Sequence, residues 1–292
     1  AASDINVALS SEGISNLGNK SITISDTSIN ASLLNTIDEK TTGVINASIV
    51  ATLTGDYSAL NRTYTSSGFT GLENKAIYIT NISIDASKLN WLDISTTGVI
   101  DASTVVTLTG AASVINNALS SEGISNLGNQ SITISDTSIN ASLLNTLDEK
   151  TTDIVNAFTV ATLTGTASVI NHALSSEGIS NLGNQSITIS DTSINASLLN
   201  TLDEKTTGIV NASTVATLTG DYSDLNTVYT SSGFTGLENK TISITNISID
   251  ASKLNWLDIS TTGVINASTV ATLTGAASDI NVALSSEGIS NL

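Results

Sequence analysis

Residues 199–220 have the sequence LNTLDEKTTGIVNASTVATLTG, and the TLTG that closes this stretch recurs at one fixed step along the whole chain. A protein whose units contact only their neighbours keeps so strict a period, because an insertion would disturb the stack. The sequence therefore predicts a repeat solenoid whose function lies in a repeated surface rather than in one pocket. No insertion or deletion interrupts the step, which ends at Gly55, Gly110, Gly165, Gly220 and Gly275.

The repeats are of two types. The second and fifth copies, type B, carry DYSxLN, SSGFTGLENK and KLNWLDIS, and the other copies are type A. The partial copy repeats segment 1–17 without a change, so we expect a longer parent array and predict that residues 1–292 form one solenoid array. The copies are 1–55, 56–110, 111–165, 166–220, 221–275 and the partial copy 276–292.

Within one repeat, Ser21–Ser25 alternates polar and apolar residues, which predicts a half-buried strand. Ile22 and Ile24 keep their type in every copy and are expected to face inward. Thr23 is replaced by Tyr78 and Ser243, so its side of the strand is expected to face solvent.

A short helix is predicted after Asn30, which we expect to cap it, as Asp85 and Asp250 would in type B. Its buried stripe is Ala31, Leu34 and Ile37. The positions of Leu33 and Thr36 are expected to face outward, because type B places Lys88, Lys253, Trp91 and Trp256 there. Gly43 is expected to stop this helix, and Asp153 to replace it by tolerating a left-handed backbone.

A second helix is predicted over residues 3–13, with Ile5 and Leu9 inward and Val7 outward. Residues 47–54 fit either a helical turn or a strand. Each repeat is thus expected to form two coils, each a strand plus a short helix, and stacking would give an α/β solenoid with a parallel sheet. A pure β-solenoid is the alternative, because Ser, Thr, Asn and Gly are abundant.

Four polar residues recur in every complete copy: Asn6, Asn19, Asn35 and Asp38. Identical residues would lie above one another in a stack, which predicts ladders that satisfy backbone and amide groups. The functional alternative is a periodic row that binds a ligand or ion. Asp26 and Glu39 are not kept in type B, and neither known calcium-loop pattern occurs, so we predict no metal site.

The sequence offers little for catalysis. His172 is the only histidine and the chain has no cysteine, so Ser-His and Cys-His nucleophiles are not expected. The Asp38–Glu39 pair points apart on a helix, and Arg62 is replaced by Thr227 in the other type B copy. We predict no enzyme, with no catalytic, cofactor-binding or metal residues and no cofactor.

Charge and hydropathy limit the partners. A net charge of −17 disfavours nucleic acid and anionic lipid, and no apolar run is long enough to span a bilayer. We expect self-association, end to end or laterally, with a cell-surface polysaccharide as a further partner to test. Trp91 and Trp256 are expected to pack against a neighbouring coil or partner chain, with sugar stacking as the alternative.

The motif LNTLDEKTTGIVNASTVATLTG, with SSEGISNLGNQSITISDTSINAS before it, resembles tandem arrays in giant cell-surface proteins of marine cyanobacteria and other aquatic bacteria. The resemblance covers essentially the whole chain and implies an extracellular structural or adhesive protein. Our first functional hypothesis is a rod or filament segment of a bacterial surface or matrix. The alternative is a repetitive surface that binds ice or polysaccharide, for which Thr52 and Thr54, unbroken in all five copies, are the candidate residues.

Overall fold

A computed structural model describes all residues, 1–292, and contains eleven helices. Two helices fall in each complete repeat, as the sequence predicts. None of them is long and apolar enough to cross a membrane. The helices are α1 (Ala2–Leu9), α2 (Ala31–Asp38), α3 (Tyr57–Thr65), α4 (Ala86–Ser95), α5 (Ala112–Ser120), α6 (Ala141–Lys150), α7 (Ala167–Ser175), α8 (Ala196–Lys205), α9 (Tyr222–Thr230), α10 (Ala251–Ser260) and α11 (Ala277–Ser285).

Twenty-five short strands connect these helices. They are β1 (Ile22–Thr23), β2 (Ser28–Asn30), β3 (Ile45–Asn46), β4 (Thr52–Gly55), β5 (Phe69–Thr70), β6 (Ala76–Ile79), β7 (Ser83–Asp85), β8 (Ile100–Asp101), β9 (Thr107–Gly110), β10 (Ile124–Ser125), β11 (Ser131–Ile134), β12 (Ser138–Asn140), β13 (Val155–Asn156), β14 (Thr162–Gly165), β15 (Ile179–Ser180), β16 (Ser186–Ile189), β17 (Ser193–Asn195), β18 (Val210–Asn211), β19 (Thr217–Gly220), β20 (Phe234–Thr235), β21 (Thr241–Ile244), β22 (Ser248–Asp250), β23 (Ile265–Asn266), β24 (Thr272–Thr274) and β25 (Ile289–Ser290).

The chain divides into two compact units, Ala1–Ser135 with Leu147–Asn156, and Asp136–Thr146 with Ala157–Leu292. Each unit repeats the same pattern of helix, short strands and helix, and its strand pairs are parallel. The predicted α/β solenoid is therefore confirmed, and the pure β-solenoid is excluded by the helices. The prediction of one array over residues 1–292 stays a prediction.

The coils alternate in length. Helix α3 starts at Tyr57, α4 at Ala86 and α5 at Ala112, so a longer coil is followed by a shorter one. The longer coil has a third strand directly before its next helix, such as β7 before α4, and the shorter coil lacks one. Each sequence repeat is therefore two unlike coils.

Strands pair at a spacing shorter than a coil. Leu53 pairs with Ile77, and Ile77 pairs in turn with Ile100. Because each of these steps along the chain is shorter than either coil, each sheet joins strands from different positions in successive coils. In the first unit one sheet has the order β2-β4-β6-β8-β10, and in the second unit β12-β14-β16-β18-β20 and β17-β19-β21-β23-β25 are built alike.

The core is a thin aliphatic layer between helices and sheets. Ile24, Ala31, Leu34 and Ile37 have no exposed surface, and Ile22 is largely buried, as predicted. The position of Val7 faces solvent in every complete copy: Val7, Arg62, Asn117, His172 and Thr227 are all exposed. The helix stripe and the strand alternation thus fix which residues face inward.

Two local predictions need resolution or correction. The ambiguous residues 47–54 contain a turn in which Val50 N donates to Ala47 O, followed by the extended strand β4, so the strand interpretation holds from Thr52 onward and no helix forms. Gly43 does not stop a helix, because α2 already ends at Asp38, and neither Gly43 nor Asp153 has a left-handed backbone. A Cβ added at Gly43 would collide with the main chain at Lys20, so the backbone must shift locally where Asp153 occupies the same repeat position.

The left-handed residues lie elsewhere. Asn16 has φ of 63°, and the same repeat position is Gly71 in type B, with φ of 76°. Asn tolerates this region better than most residues and Gly adopts it freely. The Asn-to-Gly exchange between copy types therefore preserves one turn.

Candidate functional site

The invariant Asn35 position joins successive coils. Asn35 is buried in α2; its Nδ2 donates to Ala59 O in α3 at 2.9 Å, and its Oδ1 accepts from Thr63 Oγ1 at 2.9 Å. Each contact joins one helix to the next, which explains why the residue never changes. The same donor bond recurs as Asn90 to Val114 O, Asn145 to Val169 O, Asn200 to Asp224 O and Asn255 to Asp279 O, at 3.0 to 3.1 Å.

The invariant Asp38 position makes a second link between coils. Ser66 Oγ, at the C-cap of α3, donates to Asp38 Oδ2 at 2.8 Å and accepts from Gly68 N at 3.0 Å. The carboxylate therefore closes the end of the following helix and fixes the turn after it. The serine-to-aspartate bond recurs between Ser121 and Asp93, Ser231 and Asp203, and Ser286 and Asp258.

The Asn6 position has a different partner in each copy type. In the first copy, Lys40 Nζ donates to Asn6 Oδ1 at 2.6 Å and also contacts Ser10 Oγ; the third copy repeats this, but Asn171 Oδ1 in the fourth has no partner. In type B, Asn61 Oδ1 accepts from Tyr57 OH at 3.4 Å. Asn19 is exposed, and at the same position in the third copy Asn129 Oδ1 accepts from Gln130 Nε2 at 2.7 Å. All four invariant positions thus make a defined polar contact in at least one copy.

The predicted ladders of identical residues do not form. Paired strand residues lie less than half a repeat apart along the chain, whereas identical residues are a whole repeat apart, so an Asn meets a different residue in the next coil. Asn30, for example, pairs with Thr54, which pairs with Tyr78. The invariant residues serve contacts between unlike coils.

Rows of stacked threonines at the Thr52 and Thr54 positions do not form either, because paired strand residues are not copies of each other. Thr52 lies between Ser28 and Ala76 in its sheet, and Thr54 between Asn30 and Tyr78. A flat lattice of threonines is therefore absent from this sheet, which removes the geometric basis for choosing Thr52 and Thr54 as an ice-binding array.

A buried polar position escaped the sequence reasoning. Lys75 and Lys240 are 3% and 2% exposed, and the third and fourth copies place Gln130 and Gln185, each 1% exposed, at the same position. Gln130 Nε2 donates to Val105 O and Asn126 O, and its Oε1 accepts from Gly128 N. Lys75 Nζ donates to Ser48 O at 3.2 Å. The exchange of Lys for Gln among the copies was the available signal.

Burial lowers the pKa of the Lys240 ammonium, and nearby Glu238 opposes that shift. The charged form loses hydration and gains one backbone acceptor, Ser213 O at 3.2 Å. Glutamine at this position makes more hydrogen bonds without a buried charge. Both residue types therefore fill the same buried position, but only lysine places a charge there.

Asp101 illustrates a surface contact between coils. Its Oδ1 accepts from Asn126 Nδ2 at 2.7 Å and from Ser103 N at 2.9 Å. The Asn126 bond, followed by the smaller effect of Ser103, lowers the pKa of Asp101 although burial acts in the opposite direction. The carboxylate fixes a turn, with no second acidic group in this contact.

Type B copies carry an aromatic cluster on the helices. The rings of Tyr57 and Trp91 meet edge to face with centroids 6.0 Å apart, and Lys88 Nζ lies 5.3 Å from the Tyr57 centroid. Tyr222, Trp256 and Lys253 repeat this arrangement. The prediction that the tryptophans pack against a neighbouring coil is confirmed.

Of the remaining candidates, Arg62 and Glu39 contact each other, and His172 lies on a different helix. His172 is exposed on α7, and Arg62 forms an ion pair with Glu39 at 2.6 Å between side chains that are both about half exposed. Such an exposed pair contributes little stability. No group of three His, Cys, Asp or Glu side chains is placed to hold a metal ion. The polar groove lined by Ser103, Asn126 and Asn129 contains no titratable side chain.

Comparison with known proteins gives no match: no family model fits the chain, and neither a curated protein nor a solved structure is significantly similar to it. The resemblance to surface arrays of aquatic bacteria therefore stays a prediction.

Proposed function

We propose that this chain is a structural segment of an extracellular rod or filament in a bacterial surface or matrix assembly, without catalysis. The proposal rests on the hydrogen bonds that the invariant polar residues make between successive coils. Asn35 and Asp38 donate to or accept from the next coil, and the groove that Asn35 lines beside Arg62 is open and shallow. Selection for continuity of the stack explains their repetition, whereas a binding site would repeat residues on an open surface.

The composition fits this role. The net charge of −17 keeps repeated units soluble and prevents indiscriminate lateral association. The position of Val7 varies freely among Val, Arg, Asn, His and Thr while remaining exposed. A surface that tolerates such exchange has the properties of a spacer, whose length matters more than its side chains.

The direct test is location on the source cells. Antibodies raised against the chain should label intact cells by immunogold electron microscopy, on filaments or on a surface layer. A strain that lacks the chain is the control and should lose both the label and the labelled structure. Label that appears only after permeabilisation would contradict the proposal.

A further inference from the structure

One copy of a repeated groove carries an exposed aromatic ring. Phe158 is 78% exposed, and the other four complete copies place serine at its position. The ring borders a groove of about 370 Å³ that is lined by Phe158 and residues 181–184. One repeat earlier, a groove of about 390 Å³ is lined by Ser103 and residues 126–129. Both volumes are in the range of small-ligand sites, so the chain offers the same groove with the ring and without it.

A buried glutamine fixes the shape of the groove beside Phe158. Gln185 is 1% exposed, and its Oε1 accepts from Gly183 N at 2.8 Å and from Asn184 N at 3.1 Å. Its Nε2 donates to Val160 O at 3.2 Å, two residues along the chain from Phe158. One side chain therefore ties the turn 181–184 to the segment that carries the ring. The groove is preorganised, which lowers the cost of ordering it around a ligand.

The lining of this groove suits a neutral sugar. Asn181 and Asn184 are exposed, and the Asn184 side chain makes no hydrogen bond within the chain. A carboxamide presents an acceptor and two donors side by side, which pairs it with neighbouring sugar hydroxyls. The face of an aromatic ring is electron-rich, so it attracts the C–H groups on the apolar face of a pyranose. No ionisable side chain lines the groove, so nothing there would hold a charged ligand.

We propose that the groove between Phe158 and the turn 181–184 binds one neutral pyranose residue of a glycan. The ring stacks on the sugar, and the amides of Asn181 and Asn184 bind its hydroxyls. The net charge of −17 disfavours an anionic polysaccharide. This binding activity is additional to the proposed structural role and does not depend on it.

The copy types confine the site to one kind of turn. Type B turns place Glu73 and Glu238 at the position of Gly183, which adds a carboxylate where the neutral groove has none. The groove at Ser103 has the same four turn residues as the groove at Phe158 but lacks the ring. Ring and turn therefore occur together at one place among the complete copies.

Exchanging the residues of the two grooves tests the ring. In the full chain, Phe158→Ser introduces the residue of the other copies and should weaken sugar binding at least about tenfold. Ser103→Phe adds the ring to the second groove and should raise the stoichiometry from one sugar per chain to two. Both positions are exposed, and circular dichroism verifies that each variant is folded.

The probes are three neutral tetrasaccharides, cellotetraose, mannotetraose and chitotetraose, and isothermal titration calorimetry measures affinity and stoichiometry. At least one of the three should bind, and tetragalacturonate, an anionic sugar, should not.

A second pair of variants tests the amide. Asn184→Ala should weaken binding about threefold to tenfold, the effect of losing one hydrogen bond. Asn129→Ala changes the same repeat position in the groove without the ring and should leave the affinity unchanged. Equal losses in the two variants would contradict the assignment of the sugar to the groove beside Phe158.

The proposal is wrong if none of the three neutral sugars binds, if tetragalacturonate binds as tightly, if Phe158→Ser leaves the affinity unchanged, or if Ser103→Phe adds no second site. Sedimentation velocity supplies one further outcome: loss of self-association in Phe158→Ser without any sugar binding would assign the ring to a protein contact and overturn the proposal. None of these results bears on whether the chain lies on the cell surface, which the immunogold labelling decides separately.

Discussion

At the scale of single residues, the turn after α3 depends on Gly68, which has no side chain and so leaves room for the Asp38 carboxylate. A Cβ on Gly68 would overlap Asp38 Oδ1, so the carboxylate would have to rotate away from Ser66 Oγ. We expect Gly68→Ala to lower the free energy of unfolding by about 1–3 kcal/mol, the cost of losing a hydrogen bond to a charged group. Urea unfolding followed by circular dichroism measures the change.

The chain contains its own control for this substitution. Gly13 occupies the same repeat position, but no aspartate lies beside it, and the nearest atom to an added Cβ is Ser11 Oγ at 3.7 Å. Gly13→Ala should therefore leave stability unchanged or raise it slightly, because alanine restricts the unfolded chain. Equal losses at the two positions would show that the Asp38 contact is not responsible.

A buried lysine gives the second residue-scale prediction. The pKa of Lys240 is lowered by burial, so below that pKa the folded state carries an unfavourable buried charge. Lys240→Gln, which introduces the residue of the third and fourth copies, should raise the free energy of unfolding at pH 7 by about 1 kcal/mol, the typical net value of one hydrogen bond. The measurement is urea unfolding at several pH values.

The sign of the pH dependence follows from the direction of that shift. A lysine whose pKa is lowered on folding destabilises the folded protein fully below the folded pKa, and the penalty disappears as pH rises towards the unfolded value. The advantage of Lys240→Gln should therefore shrink across this alkaline window. Lys20→Gln is the control, because Lys20 has the same repeat position but is exposed, and it should show no difference at any pH.

At the scale of helices, the two copy types differ by residues that contact one another. Tyr57 and Trp91 lie on α3 and α4 of one repeat, and type A replaces them with Ala and Thr. In a double-mutant cycle of Tyr57→Ala and Trp91→Thr we expect a coupling energy of about 0.5–1.5 kcal/mol, typical of edge-to-face rings. Thermal or urea unfolding of the four proteins supplies it.

Tyr78 supplies the matched pair for this cycle. It lies on β6 of the same repeat, is replaced by Ser243 in the other type B copy, and makes no ring contact with Trp91. The cycle of Tyr78→Ser and Trp91→Thr should be additive within about 0.5 kcal/mol. If Tyr78 and Trp91 gave a coupling energy as large as that of Tyr57 and Trp91, the measured coupling would not report a direct ring contact.

The elements that the sequence predicts well are those fixed by local chemistry. Asn30 accepts from Ser32 N at 2.8 Å as a helix cap, and Ala31, Leu34 and Ile37 form the buried stripe. Copy-to-copy exchange correctly separates inward from outward positions, since a buried position tolerates few residue types.

The strand register could not be predicted in the same way. The sequence repeats with the spacing that separates Gly55 from Gly110, but paired strand residues lie less than half that far apart along the chain, and no two such residues are copies of each other. The offset arises from tertiary packing of two unlike coils. No residue pattern in the sequence marks which strand residues pair. Expectations built on stacked identical residues, including the asparagine ladders and the threonine lattice, failed for this one reason.

At the scale of the whole molecule, sequence identity does not guarantee an identical environment. Segments 1–17 and 276–292 have the same residues, yet β25 forms in the second segment and no strand forms in the first. Ile289 pairs with Ile265 in the preceding coil, whereas Ile14 makes no strand pairing among residues 1–292. Stability in a repeat stack comes largely from the interfaces between neighbouring units.

This difference can be measured with single thiols, because the chain contains no cysteine. We expect the thiol introduced by Ile14→Cys to react with a soluble disulfide reagent at least about tenfold faster than that introduced by Ile289→Cys, since the second must await local opening. In denaturing urea the two rates should be equal, because the flanking residues are identical. Equal rates under native conditions would mean that β25 opens as often as the unpaired segment, and that pairing with Ile265 does not protect Ile289.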